Sequence, residues 1–308
     1  MPRQQLDQLD RDLLKEIISP GSVRYDVREP YSKIARRLSV DEETIRRRLS
    51  RLRQEGVIGR FVLFPNPRVI DRESALVYFE PKGTTPIGLE IPRLRLLDGV
   101  VSLVTVHGAG MLLDIFYQSK GALARQIALV ESICNAKAAM LWKVPFPQYP
   151  SSMTRTDWAI ILALRKEPRR KLTDLASELG VSSRTVNRRV QRLSDGKAFM
   201  LDLEFNIARI SGMPSLLLVH YEDPVRKREA DKVILARLQR LAYVDTSAQS
   251  HSVFAFHCEN VSELDGVSRL VKGVNGVKDF KLGIIESRIY SHEWLDEEIQ
   301  SRLNRFSC

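Results

Sequence analysis

KIARRLSVDEETIRRRLSRL, residues 33–52, decides how the rest of the chain is read. Two short apolar-patterned segments flank a tight turn, and the second is crowded with arginine. The pattern returns without a gap in DLASELGVSSRTVNRRVQRL, residues 174–193. Ile34, Ala35, Leu38, Val40, Thr44, Ile45, Leu49 and Leu52 align with Leu175, Ala176, Leu179, Val181, Thr185, Val186, Val190 and Leu193, always 141 residues apart. A constant offset near half of a 308-residue chain marks a duplicated unit.

Each stretch reads as a helix-turn-helix. Asp41 and Ser182 are good N-cap types for the second helix. Ile45, Leu49 and Leu52, like Val186, Val190 and Leu193, recur at i, i+4 and i+7, which turns one apolar face inward. At about 100° per residue, Thr44, Arg47 and Arg51 then point outward, as do Arg184, Thr185, Arg188 and Arg192. Arg46, Arg48, Asn187 and Arg189 flank the seam, and Ser183 opens the second copy's helix. Arginine, threonine and asparagine on the outer face of such a helix are what reading a DNA major groove requires. These twelve residues are the candidate DNA-binding set.

The charge agrees with that assignment. The net charge is +10, and residues 31–60 carry +5 while residues 165–192 carry +6, so the two windows hold the whole excess. Basic charge confined to two repeated helical segments points to a phosphate backbone, whereas merely solvated helix faces would scatter it. A hydrophobic fraction of 44% with 28% charged residues is globular rather than disordered. No apolar run approaches the roughly 20 residues that span a bilayer, and the polar start, MPRQQLDQLDRDLL, is no signal peptide. Cys134, Cys258 and Cys308 make neither a disulfide framework nor a CxxC metal pair. A cytoplasmic protein without cofactor, metal or membrane contact is expected.

Taken in order, residues 6–18 form an amphipathic helix, matched by residues 156–164 in the second copy. The first copy's following loop, residues 21–30, is about six residues longer and holds Arg24, Tyr25 and Arg28. After each arginine-rich helix comes a β-like run, Gly56–Phe64 and Gly196–Phe205, read as the hairpin wing of a winged helix-turn-helix. Strand, helix, two strands, helix and strand then follow in both copies. In the first they are Ala75–Glu80, a stretch ending near Leu97, Val100–Val106, Met111–Tyr117, Ala122–Cys134 and Ala138–Val144. In the second they are Ser215–Tyr221, Val225–Leu241, Tyr243–Ala248, Val253–Cys258, Val261–Val271 and Val277–Glu286. This is the ferredoxin-like βαββαβ unit. Phe146–Met153 is the linker, and His292–Phe306 is a C-terminal helix packing as a cap. The expected fold is α+β: winged helix-turn-helix domains at 1–70 and 149–211, βαββαβ domains at 71–148 and 212–290, and a terminal helix at 291–308.

A winged helix-turn-helix followed by βαββαβ resembles the Lrp/AsnC family of prokaryotic transcription regulators. The matching residues are Leu6-Asp7-x-Leu9-Asp10-Arg11-x-Leu13-Leu14, the helix-turn-helix, Glu55-Gly56-Val57-Ile58 and Asn66-Pro67. The second copy keeps the helix-turn-helix but continues Asp195-Gly196-Lys197-Ala198-Phe199. The resemblance implies double-stranded DNA as partner and self-association through the βαββαβ domains, as an intrachain pseudo-dimer and then a homodimer or larger. It also implies an effector loop of Gly-x-x-Asp type. Here that loop reads Gly108-Ala109-Gly110-Met111 and Gln249-Ser250-His251-Ser252, without the acid that would hold an amino acid's ammonium group. His107, Gly108, Gly110, Ser250 and His251 are the candidate effector-binding residues, for an unknown small molecule. Glu42 and Glu43 in the first recognition helix predict unequal half-sites, with the second copy supplying more nonspecific affinity. The chain is therefore expected to be a regulator and not an enzyme. The alternative is a haem-pathway, sirohaem-type decarboxylase of the same plan with unused DNA-binding domains, for which His107, His220, His251 and His257 are the candidate residues.

Overall fold

The computed structural model describes residues 6–17, 30–83, 87–108, 110–206, 209–210, 212–238, 240–244 and 250–306. The loop at 21–30 lies outside them save for Pro30, as do Ala109, residues 245–249 and Cys308.

The same order of three helices and a strand opens both halves: α1 (Gln8–Ile17), α2 (Tyr31–Arg37), α3 (Glu42–Gln54) and β1 (Ile58–Pro65), then α6 (Arg155–Lys166), α7 (Leu172–Glu178), α8 (Ser183–Asp195) and β6 (Phe199–Phe205). The N-caps are as the residue types require: Asp41 accepts from the Thr44 N–H at 2.6 Å and Ser182 from the Thr185 N–H at 3.2 Å. Two backbone positions per unit take left-handed conformations. They are Ser39 (φ 55°) and Gly180 (φ 63°) in the turn, and Gly56 (φ 69°) and Lys197 (φ 58°) after the long helix. Each pair keeps the 141-residue spacing, so one backbone path is followed with a glycine at only one site of each pair.

The expected hairpin wings are not formed. Each half supplies one strand, and β1 pairs antiparallel with β6, from Ile58 opposite Phe205 to Pro65 opposite Phe199. A hairpin would bury both strands' apolar faces within one unit; pairing across units buries them in both. Leu203 joins the core around Ile34, Ile45, Leu49 and Leu52, while Val62, Leu63 and Phe64 join the core around Trp158, Ile161, Val186 and Leu193.

The remaining strands are β2 (Glu73–Pro81), β3 (Val100–Val106), β4 (Gly110–Tyr117), β5 (Ala136–Val144), β7 (Met213–Tyr221), β8 (Arg240–Val244), β9 (His251–Cys258) and β10 (Val277–Tyr290). They run in the order β5-β2-β4-β3-β10-β7-β9-β8. Each half alone has the ferredoxin-like arrangement. Strand β10 joins them because its first part pairs with β7 and its last, Ile285–Tyr290, with β3. Helices α4 (Ile91–Leu94) and α5 (Lys120–Cys134) belong to the first half, α9 (Pro224–Arg237) and α10 (Val261–Lys272) to the second. A shared apolar layer of Leu76, Tyr78, Leu112 and Trp142 with Leu216, Leu218, Val253 and Ile285 packs strands of the two halves together. The helix expected over Val225–Leu241 ends earlier, because Leu238 leaves the helical conformation and Arg240–Val244 pairs with β9.

The C-terminal helix α11 (Glu293–Asn304) packs against α6 and against the first half. Trp294 is its anchor: its indole N–H donates to the Val100 carbonyl at 2.5 Å, and the Arg72 guanidinium lies 4.9 Å over the ring. Arg302 ties the far end to Asp71 at 2.9 Å and to the Ile70 carbonyl at 2.7 Å. Among the described residues no helix is long and apolar enough to cross a membrane.

Candidate nucleic-acid interface

Helices α3 and α8 carry the candidate residues, and the fold sorts their arginines into two groups. The apolar seam, Ile45, Leu49 and Leu52 or Val186, Val190 and Leu193, is buried against the unit's other helices. That orients the remaining faces.

One group turns back into the protein. Asp10 and Asp157 are fully buried. Asp157 closes a capping box with Thr154, taking the Thr154 N–H at 2.9 Å while its own N–H reaches the Thr154 hydroxyl at 3.3 Å. Asp7 and Asp10 bond reciprocally in the same way, at 2.9 and 3.2 Å. Two arginines then close on each buried carboxylate. Arg48 and Arg51 donate to Asp10, the former at 3.1 Å, and Arg189 and Arg192 donate to Asp157, the former at 3.1 Å. Burial raises the Asp157 pKa, but hydrogen bonds from Thr154 and Arg189 and the charge of Arg192 outweigh it and hold the carboxyl below its ordinary value. This clasp recurs with the 141-residue spacing of its arginines, and it went unrecognised in the sequence. Its signal was present: an acid three residues after Asp7 and after Thr154, at the start of an amphipathic helix. Arg48, Arg51, Arg189 and Arg192 are thus not free groove-reading side chains. Arg51 and Arg192 keep 41% of their side-chain surface exposed, Arg48 and Arg189 only 22% and 24%.

The other group faces solvent. Arg47, Arg184, Asn187 and Arg188 are exposed, and Arg47, Arg184 and Arg188 have no ion-pair partner among the described residues. Arg46 is exposed but engaged, donating to Glu42 at 3.0 Å and lying 5.1 Å over the Tyr31 ring. Glu42 is therefore partly neutralised within its own helix. Thr44 and Thr185 spend their hydroxyls on the caps, at 2.9 Å from Asp41 and 2.9 Å from Ser182, and Ser183 is half-buried. Arg169, in the loop between α6 and α7, lies 4.4 Å over the Tyr31 ring and 4.9 Å over Phe61, so the second unit's loop grips the first unit's aromatic side chains.

The five candidate effector residues fall at two places in the chain, the β3–β4 turn and the start of β9. The His107 imidazole meets Glu286 of β10 at 2.7 Å, the His107 backbone N–H donates to the Ile284 carbonyl at 2.8 Å, and Gly108 and Gly110 carry positive φ (63° and 145°) in the β3–β4 turn. The Ser250 carbonyl accepts from the Tyr221 N–H at 2.7 Å. His251 stacks on His220 with ring centroids 4.3 Å apart and meets Trp142 edge-on at 5.6 Å. Burial, aided by the neighbouring His220, pushes the His251 pKa down to about 4, so this pair is neutral at pH 7. His257 lies buried on the same strand, against Gly212.

Comparison with known proteins bears on these units. Residues 153–194 match the AsnC-type helix-turn-helix domain, so the second unit is of that type. The chain is 43% identical over 119 residues to an uncharacterised HTH-type transcriptional regulator of Pyrococcus abyssi, covering 37% of this chain and 66% of that one. It is 41% identical over 63 residues to another from Pyrococcus horikoshii, covering 20% and 36%. The chain thus spans less than two thirds of either relative. Among solved structures, the siroheme decarboxylase NirDL in complex with an iron-uroporphyrin III analogue covers 96% of this chain and 100% of its own, with TM-score 0.56 and 13% identity. At that identity the likeness shows the fold alone. It nonetheless corrects one expectation. That the chain is not an enzyme does not stand, because an enzyme shares its plan from end to end.

Proposed function

We propose that the chain is a sequence-specific, DNA-binding transcription regulator of Lrp/AsnC type whose two helix-turn-helix units, one in each tandem half, read an asymmetric duplex site. The single observation that carries the reading is the division of the arginines. In both units the inner pair closes on a buried aspartate, while Arg47 in one and Arg184 and Arg188 in the other stand exposed and, among the described residues, form no ion pair. Guanidinium groups in that state are suited to phosphate and to guanine edges. The β1–β6 ribbon supports a fixed spacing between the two readers. Glu43, exposed in the first turn of α3, supports unequal half-sites. Domain limits near 70, 148, 211 and 290, self-association through the βαββαβ halves and a cytoplasmic setting belong to the same proposal.

Gel-shift titration tests it. If six to ten phosphates are neutralised, raising salt from 50 to 200 mM weakens binding about 10³–10⁵-fold. Arg47→Ala and Arg188→Ala each lower the salt slope by about one, with the larger loss of affinity for Arg188→Ala. A flat salt response, or unchanged affinity in both variants, refutes the reading.

A second reading, a decarboxylase acting on a sirohaem-type tetrapyrrole, is favoured by the end-to-end likeness to NirDL. Purified protein incubated with sirohaem under reducing conditions decides it: visible-absorbance changes on binding and loss of carboxyl groups by mass spectrometry support catalysis, and unchanged sirohaem removes it.

A further inference from the structure

A cleft of about 490 Å³ lies between the β1–β6 ribbon and the end of β10, away from the outward faces of α3 and α8. Its charged lining is Arg60, Arg95, Arg288 and His292, against Glu204 as the one acid. Each guanidinium carries five N–H donors, and the protein uses few of them. Arg60 gives its Nε to Glu204 at 3.1 Å, Arg95 an Nη to Glu293 at 2.8 Å, and Arg288 an Nη to Asp202 at 2.6 Å. The Arg95 Nε is buried without any partner.

Two details of the backbone build this cleft. The β1–β6 register slips between Ile58 and Phe61, a bulge that leaves Arg60 with 54% of its side chain exposed at the rim. Gly59 sits inside the bulge, where an added Cβ would stand 3.0 Å from the Glu204 side chain and push it aside by a few tenths of an ångström. Two of its lining charges are not repeated at the duplicated position. The residue 141 places after Arg60 is Leu201, and that 141 before Glu204 is Leu63. Burial, then the charges of Arg165 and Arg60, push the His292 pKa down despite Glu204 at 3.4 Å.

We propose that this cleft binds a compact oxoanion bearing two or more negative charges, of phosphate or polycarboxylate chemistry, held by Arg60, Arg95 and Arg288. Such anions accept several charge-assisted N–H bonds at once, which suits three guanidinium groups around one opening. The assignment does not rest on the DNA-binding reading, and its test contains no DNA.

Isothermal titration calorimetry of the full-length protein, with inorganic phosphate and with citrate as probes at matched ionic strength, is the experiment. Saturable binding of either probe is expected, weakened about tenfold or more in Arg60→Leu, which copies the residue at the duplicated position, and in Arg95→Met. Both side chains are partly exposed, so the variants are expected to melt like the parent chain, and calorimetric scans check this. Phosphate binding without citrate binding assigns a phosphorylated ligand; the reverse assigns a polycarboxylate. Absence of saturable binding for both probes, or equal binding in both folded variants, overturns the site. Failure of DNA binding in gel shifts, with anion binding intact, would remove the regulator reading and leave this one standing.

Discussion

Replacing Asp157 with asparagine probes the clasp behind helix α8. The carboxylate is fully buried and takes hydrogen bonds from Thr154, Arg189 and Arg192. Removing one partner of a buried ion pair costs about 3–5 kcal/mol. Here the arginines keep 24% and 41% of their surface in water, so solvent recovers part of the loss and about 2–3 kcal/mol is expected. With an unfolding entropy of about 2.1 cal/mol/K per residue, a cooperative transition of 308 residues shifts by roughly 3–5 °C. Differential scanning calorimetry at pH 7 measures this directly. The pH dependence sharpens the test. The folded pKa lies below the ordinary value of 3.8, so the stabilisation is present above about pH 4 and is lost as pH falls through the folded pKa. The parent and Asp157→Asn melting temperatures should therefore converge in acid. A variant that melts within 1 °C of the parent at pH 7 would refute the clasp.

Two further perturbations follow from the packing. Burial, offset in part by Ser74 and Arg288, raises the Asp114 pKa from 3.8 to about 6, so the folded chain holds that proton more tightly and loses stability as pH rises from about 4 through 6. Asp114→Asn should consequently be more stable than the parent at pH 8, by up to about 3 kcal/mol, and no more stable at pH 4; a less stable variant at pH 8 would contradict this. Trp294→Ala removes the anchor of α11 and should cost about 3–5 kcal/mol in urea unfolding; a loss under 1 kcal/mol would mean that α11 is not held through Trp294.

The clasp shows how far residue spacing carries. Periodicity placed Arg47 and Arg188 outward, and the structure keeps them there. It placed Arg51 and Arg192 outward by the same rule, yet both reach back to a buried carboxylate. An arginine side chain is long enough to leave the direction its Cα sets, and Asp10 and Asp157 lie on other helices, so angular position alone could not assign it.

Local interactions were legible in the residues themselves. The caps at Asp41 and Ser182, the buried seams of α3 and α8 and the order of strands and helices depend on contacts within one turn or one strand, which the chain writes at fixed short spacings. Partner choice was not. Strand β1 finds β6 rather than a hairpin mate, β10 divides between β7 and β3, and Arg60, Arg95 and the pair Arg288 and His292 gather from three separated stretches. Each of these pairings is settled by which distant apolar faces can be buried together, and only the folded chain brings those faces into competition.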